Sequence, residues 1–366
     1  MRPGRAWRSP LAREPGSSPR LVSVIVPCRN EMRYLHPFMR SLQTQEMPEG
    51  VAMEVLIADG MSTDGTRAAL DEYRAADPRI VVFDNPRGIV PPGLNEAVRR
   101  AHGTVIVRMD VHSEYAPDYV RQCLAVLEET GADNVGGPAR TMAEGYMQKA
   151  IALAYHSGFA CGGARFHDPS YEGAVDTVTF GCWPRRTLEE TGPFDELLVR
   201  NQDDEHNLRI LRRGGRIWQS PRIRCWFKPR SSLRALFRQY AQYGFYKVYV
   251  IRKHRLPASP RHLVPAAFVG GLAGLVLLAP FYSPAAILAV LGAGAYAAAS
   301  VAAAVLACRT PGGLKYLPVL PLVFAVYHLS YGLGFLRGLV HLAVSPAWRR
   351  APAGSVHLEH ASTASQ

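Results

Sequence analysis

Four absences narrow what this chain can do. No glycine-rich GxGxxG follows its first apolar segment, which ends instead in PCRNE, so a dinucleotide-binding dehydrogenase loses its main support. No GxxxxGK with a following Ser or Thr closes any strand-like run, which removes the P-loop NTPases. The six cysteines, Cys28, Cys123, Cys161, Cys182, Cys225 and Cys308, show no CxxC spacing and suggest neither zinc nor a disulfide framework, in keeping with a reducing compartment. Residues 263–342 contain no Asp or Glu at all, a gap that no ordinary soluble surface would tolerate.

That gap coincides with three apolar runs, 263–281, 285–308 and 317–336, each near the ~20 residues that a bilayer-spanning helix requires. They are rich in Gly and Ala, and Tyr282, Tyr316 and Trp348 sit near their ends as interfacial aromatics do. His328 and Arg337 leave open a partly interfacial third segment. The formal charge of +12 is concentrated in the N-terminal arm and in Arg252, Lys253, His254, Arg255 and Arg261 just before the first run. Placed there, it fits anionic lipid better than nucleic acid. The loop 309–315 is basic and 282–284 is uncharged, so the expectation is a multi-pass protein of the cell (inner) membrane with its catalytic region on the cytoplasmic side. The expected division is a disordered basic arm over 1–20 without the apolar core of a secretory signal, a catalytic domain over 21–254, a membrane domain over 262–342 and a disordered tail over 343–366.

Ahead of the apolar runs, strand-like and helix-like segments alternate. Strands are expected at 22–26, 53–58, 80–83 and 104–107, each followed by a helical pattern, and a further strand at 175–180. Four βα units in about a hundred residues predict an α/β fold, a Rossmann-like, mostly parallel sheet with helices on both faces. The ligand edge then gathers Glu31, Asp59 and Asp110. The stretch TVIVRMDVHSEY ends a buried strand in Asp110 and His112, a spacing that suits a divalent cation or, equally, a carboxylate that only turns the chain. A second acidic cluster, NQDDE, precedes a helical pattern, so Asp203 reads either as a helix N-cap or as a catalytic carboxylate. Tyr240, Tyr243, Tyr246 and Tyr249 line one face of a basic helical pattern over 232–250; core or interfacial packing accounts for them more simply than sugar stacking does.

The segments VSVIVPCRNE, IADGMSTDGT, NPRGIVPPGLN, VIVRMDVH, VDTVTFGCWPR, GPFDELLVRNQDDEHNLRI and RQYAQYG, in this order, resemble family-2 glycosyltransferases of the GT-A fold, and within them the membrane-attached succinoglycan-biosynthesis subgroup. The resemblance covers about residues 21–254 and the apolar tail. It implies that Pro27, Arg29, Asn30, Glu31, Asp59, Asn95 and Asp110 contact a nucleoside-diphosphate sugar, expected to be a UDP-sugar. It also implies that Asp110 and His112 stand at the DxD metal motif and that Asp203 is the catalytic base. Arg209, Arg238, Gln239 and Tyr240 are expected near acceptor or diphosphate. The last three lie near the QxxRW-like position of processive synthases, a motif absent here, and Gln202 stands where many relatives carry Glu.

The chemistry is consistent with that assignment. A cation neutralises charge developing on a leaving diphosphate, Mg²⁺ with oxygen ligands or Mn²⁺ if His112 takes part. A carboxylate that removes the acceptor proton on the opposite face produces inversion. The expected activity is therefore a metal-dependent, inverting hexosyl transfer to a lipid-linked saccharide in polysaccharide or glycolipid synthesis. Transfer directly to polyprenyl phosphate, a nucleotidyltransferase and a catalytically silent nucleotide-binding membrane scaffold are the alternatives.

Overall fold

The computed structural model describes residues 20–257 and 259–345. The basic arm before Arg20, the tail beyond Ser345 and Trp348 lie outside the described residues. The chain forms two compact units, Met1–Thr141 with Arg165–Lys228, and Met142–Ala164 with Pro229–Gln366.

The first unit runs through β1 (Arg20–Cys28), α1 (Met32–Gln43), β2 (Val51–Asp59), α2 (Thr66–Ala76), β3 (Ile80–Asp84), α3 (Val90–Arg100), β4 (Val105–Arg108), β5 (Ser113–Tyr115), α4 (Tyr119–Thr130), β6 (Asn134–Gly137) and β7 (Arg140–Thr141). After an excursion that carries α5 (Tyr146–Tyr155) and α6 (Gly158–Cys161), it continues with β8 (Gly173–Ala174), β9 (Thr179–Pro184), α7 (Arg185–Thr191), α8 (Gln202–Arg212), β10 (Ile217–Gln219) and β11 (Cys225–Phe227). Alternation along β1 explains the layers, because successive side chains of a strand point to opposite faces. Val22, Val24 and Val26 join Leu35, Phe38 and Met39 of α1 and Leu124 and Leu127 of α4 in one apolar cluster. Ile25 joins Leu94 and Ala97 of α3 in the other.

The eight-stranded sheet has the order β3-β2-β1-β4-β9-β6-β10-β8. Its first four strands are parallel, as the βα repeats predict. Beyond β4 the sheet is mixed: β9 enters antiparallel between β4 and β6, with Val105 opposite Pro184 and Val107 opposite Cys182. The strand expected at 175–180 therefore starts later, at Thr179. A separate three-stranded sheet, β5-β11-β7, went unforeseen because two- and three-residue strands carry no readable periodicity. Register sets the ligand edge. Cys28 pairs with Asp59 and Asp59 with Asp84, so β1, β2 and β3 end level, while β4 reaches Arg108 opposite Ile25 and the turn 109–112 follows at that same edge.

The second unit comprises α5, α6, α9 (Leu233–His254), α10 (Val264–Leu278), α11 (Ser283–Ala307) and α12 (Leu320–Val344). Three of its helices, over Pro260–Leu278, Ser283–Ala307 and Leu320–Val344, are long and apolar enough to cross a membrane. The third is one continuous helix through His328 and Arg337, and by length and composition it is able to span. The His328 ring is satisfied within the unit: Nε2 donates to the Phe159 carbonyl and Nδ1 faces the Tyr296 hydroxyl at 2.9 Å. Compactness divides the chain elsewhere than at residue 254. Gly334 of α12 sits against the Ala241 carbonyl of α9, and Gly244 of α9 against the Tyr331 carbonyl, so the two backbones touch without side chains between them. The Tyr327 hydroxyl donates to the Ile151 carbonyl of α5, which ties the excursion to the same helices. Between α5 and α6 the helical run breaks at Ser157, whose Oγ accepts the Phe159 N–H and opens α6.

Candidate active site

Two loops at the parallel edge lock together first. After β1 the chain turns through Asn30, a non-glycine residue at φ 53°, and after β2 through Met61 at φ 60°. Such left-handed residues persist only where surrounding bonds hold them. Here Asn30 N–H donates to Ser62 Oγ at 2.9 Å, the Asn30 side-chain oxygen accepts the Thr63 N–H, Glu31 N–H donates to Thr66 Oγ1 and Met32 N–H to an Asp64 oxygen. Asp59, 1% exposed, accepts from Ser62 Oγ at 2.6 Å and faces Arg67 at 3.5 Å. Arg67 also pairs with Asp84 and Asp71. Arg29 crosses this edge to the Gly88 carbonyl at 2.8 Å, leaving Pro27 half-buried and Asn30 exposed. Glu31 extends towards His112, with Oε1 3.4 Å from Nδ1.

The centre of the site is Arg108, the last residue of β4 and only 3% exposed. Its Nε and Nη2 donate to the two oxygens of Asp110 at 2.8 and 3.0 Å, and its Nη1 pairs with an Asp203 oxygen. Two carboxylates 93 positions apart in sequence thus meet on one guanidinium. Burial opposes the charge on Arg108, but Asp110 and Asp203 outweigh it and hold the group firmly protonated. The turn beneath Asp110 is fixed by Tyr115 of β5, whose hydroxyl accepts the Asp110 N–H at 2.6 Å and donates to its carbonyl. Burial pushes that phenol well above its usual pKa, so it stays a neutral donor.

Asp203 occupies the first turn of α8, but it does not cap it. The cap position belongs to Asn201, at φ 63°, whose side chain makes no capping bond. The N-cap alternative is thereby removed. The Asp203 side chain keeps 39% of its surface exposed. Enclosure by protein, with the Asp110 and Asp204 carboxylates, raises its pKa above the ordinary carboxylate value while Arg108 pulls the other way. A carboxylate that is solvent-accessible and more basic than usual suits proton abstraction.

Other expected site residues have structural duties. Asn95 clamps the turn before α8: its amide nitrogen donates to the Phe194 carbonyl and to Glu196, and its oxygen accepts the Phe194 N–H at 2.8 Å. Arg209 bonds the fully buried Glu205 and the carbonyls of Thr191 and Pro193, which commits its guanidinium to bracing α8. Arg238, Gln239 and Tyr240 belong to α9 in the second unit. There Tyr240 packs its ring on Tyr327 at 4.4 Å and Gln239 donates to the Tyr243 hydroxyl, while Arg238 is exposed. Sequence reasoning passed over Arg108, Tyr115, Ser62 and Arg67. Arg108 carried a signal, since a charged residue inside the run TVIVRM has to find a partner when that strand is buried. Phe180, at φ 62° within β9 and with its ring tilted against Tyr115 at 5.7 Å between centroids, carried none.

Among the described residues, no group of three or more His, Cys, Asp or Glu stands ready to hold a metal ion unaided. Asp110 retains oxygen lone pairs beyond those used by Arg108, and His112 is exposed two residues away. This sparse set fits a cation that takes most of its shell from a diphosphate and water, as Mg²⁺-type sites commonly do.

Comparison with known proteins agrees with the fold. Glycosyl transferase family 2 matches residues 23–166. The chain is 30% identical to the succinoglycan biosynthesis protein ExoA of Rhizobium meliloti (strain 1021) over 322 residues, 87% of this chain and 94% of that protein. It is 26% identical, over 63% of its length and 74% of the relative's, to the Methanococcus voltae dolichyl N-acetyl-alpha-D-glucosaminyl phosphate 3-beta-D-2,3-diacetamido-2,3-dideoxy-beta-D-glucuronosyltransferase. Among solved structures, the mannosyltransferase PcManGT from Pyrobaculum calidifontis, in complex with GDP-Man and Mn²⁺, superposes with a TM-score of 0.59 at 21% identity, covering 90% of this chain and 91% of that one, a likeness of fold. The protein is a glycosyltransferase with a GT-A fold, and the chain belongs to glycosyl transferase family 2.

Proposed function

We propose that this protein is a membrane-anchored, cation-assisted, inverting glycosyltransferase that moves a sugar from a nucleoside-diphosphate donor to a lipid-linked saccharide during polysaccharide or glycolipid synthesis. The observation that carries the reading is the meeting of Asp110 and Asp203 on Arg108 at the edge where Asp59 and Glu31 also lie. Asp59 and the Asn30–Ser62 lock form the nucleotide end. Asp110 and His112 would hold the cation, which neutralises charge developing on the departing diphosphate. Asp203 takes the proton of the acceptor hydroxyl as the oxygen attacks the anomeric carbon, and one base opposite the leaving group gives inversion. The three apolar helices support a membrane anchor, with the catalytic unit on the cytoplasmic side of the inner membrane as the loop charges indicate. The relative whose name specifies a dolichyl-linked sugar phosphate as acceptor supports a lipid-linked one here.

The test incubates purified full-length protein with labelled nucleotide sugars, UDP-sugars first, and with either polyprenyl phosphate or extracted lipid-linked saccharides, with Mn²⁺, Mg²⁺ or a chelator. Transfer to the saccharide, lost with chelator, releasing nucleoside diphosphate and inverting the anomer, is the expected result. Transfer to bare polyprenyl phosphate would replace the acceptor assignment, release of pyrophosphate would mark a nucleotidyltransferase, and absence of transfer across a full donor panel would favour a silent scaffold.

A further inference from the structure

We propose that Arg108 is the positioning residue of the site: anchored on Asp110, it holds the Asp203 carboxylate at the place from which it takes the acceptor proton. The inference deepens the reading of Asp203 as base and rests on it. The stem of Arg108 leaves the end of β4, in register with Ile25, and is buried to 3% exposure, so its root is as rigid as the sheet. Two of its nitrogens are spent on the two oxygens of Asp110 in a fork, which fixes the plane of the guanidinium and aims Nη1. Asp203, by contrast, projects from the first turn of α8 with no capping bond and with 39% of its side chain open to solvent. Left alone, such a side chain samples several rotamers, and only one brings its oxygen against an acceptor hydroxyl. The forked guanidinium selects that rotamer before substrate arrives. A lysine would keep the charge but not the plane, because an ammonium offers no rigid fork.

Purified full-length protein carrying R108K, R108Q, D203N or the R108Q/D203N pair tests this. Turnover is followed with saturating donor and acceptor, and nucleoside-diphosphate affinity by titration calorimetry in chelator. R108Q is expected to lose about a hundredfold in kcat and R108K about tenfold, the scale of a misplaced reacting group. Donor KM and calorimetric affinity should stay within about twofold of wild type, and the double variant should be no slower than D203N alone, since positioning is worthless without the base. A slow D203N beside an R108Q of wild-type turnover sinks Arg108 alone. A fully active D203N sinks the base and this role with it. A loss of nucleotide affinity that matches the loss of kcat, or additive defects in the pair, reassigns Arg108 to donor binding and overturns the proposal. Should R108Q fail to fold, R108K carries the same comparison.

Discussion

Replacing Asp203 with Asn removes the proposed base with little disturbance of shape. The amide oxygen still accepts from Arg108, and the fork between Arg108 and Asp110 is untouched. Because the folded state raises the Asp203 pKa, it disfavours the ionised carboxylate there, so that carboxylate lowers stability near neutrality and the deficit disappears as pH falls through the folded pKa. A neutral amide is therefore expected to leave the melting temperature unchanged or slightly higher. General-base assistance contributes about 10² to 10⁴-fold, which at about 1.36 kcal/mol per tenfold is roughly 2.7 to 5.4 kcal/mol of barrier. With donor and acceptor saturating, kcat should fall by that factor while nucleoside-diphosphate affinity holds. In the wild type, the acid limb of kcat should lie above the ordinary carboxylate value near ~4, since a raised pKa means the base is lost earlier on acidification; the limb should vanish in D203N. Full activity in D203N, or an unchanged acid limb, refutes the argument.

Asp59→Ala should raise donor KM with a smaller effect on kcat, because the buried carboxylate organises Ser62 and Arg67 at the proposed nucleotide end; steady-state kinetics with varied donor checks it. Arg209→Met strips a fully buried Glu205 of its ionic partner and is expected to cost roughly 3–5 kcal/mol, seen as a lowered melting temperature with nucleotide affinity per folded molecule unchanged. Gly334→Leu drives a side chain into the Ala241 carbonyl of α9, where backbone cannot swing aside, and should destabilise the second unit by about 1–3 kcal/mol or more in detergent melts, whereas the same change at Gly294, with open space beside it, should not.

The order of βα units, the three membrane-length helices and the position of Asp59 and Asp110 at the ends of their strands were legible in the sequence. Periodicity, turn chemistry and apolar run length are properties of near neighbours and survive without coordinates. What tertiary structure alone decided is who meets whom. Arg108 finds Asp203 95 positions later, β9 inserts against the direction of its neighbours, and residues 142–164 join the apolar helices through bonds such as Tyr327 to Ile151. The same physics gives Asn95 and Arg209 their bracing partners: a polar side chain in a motif looks identical whatever it bonds, and only the packed chain supplies the Phe194 and Thr191 groups that these two hold. Long-range pairing depends on how sheets and helices stack, which no local pattern encodes.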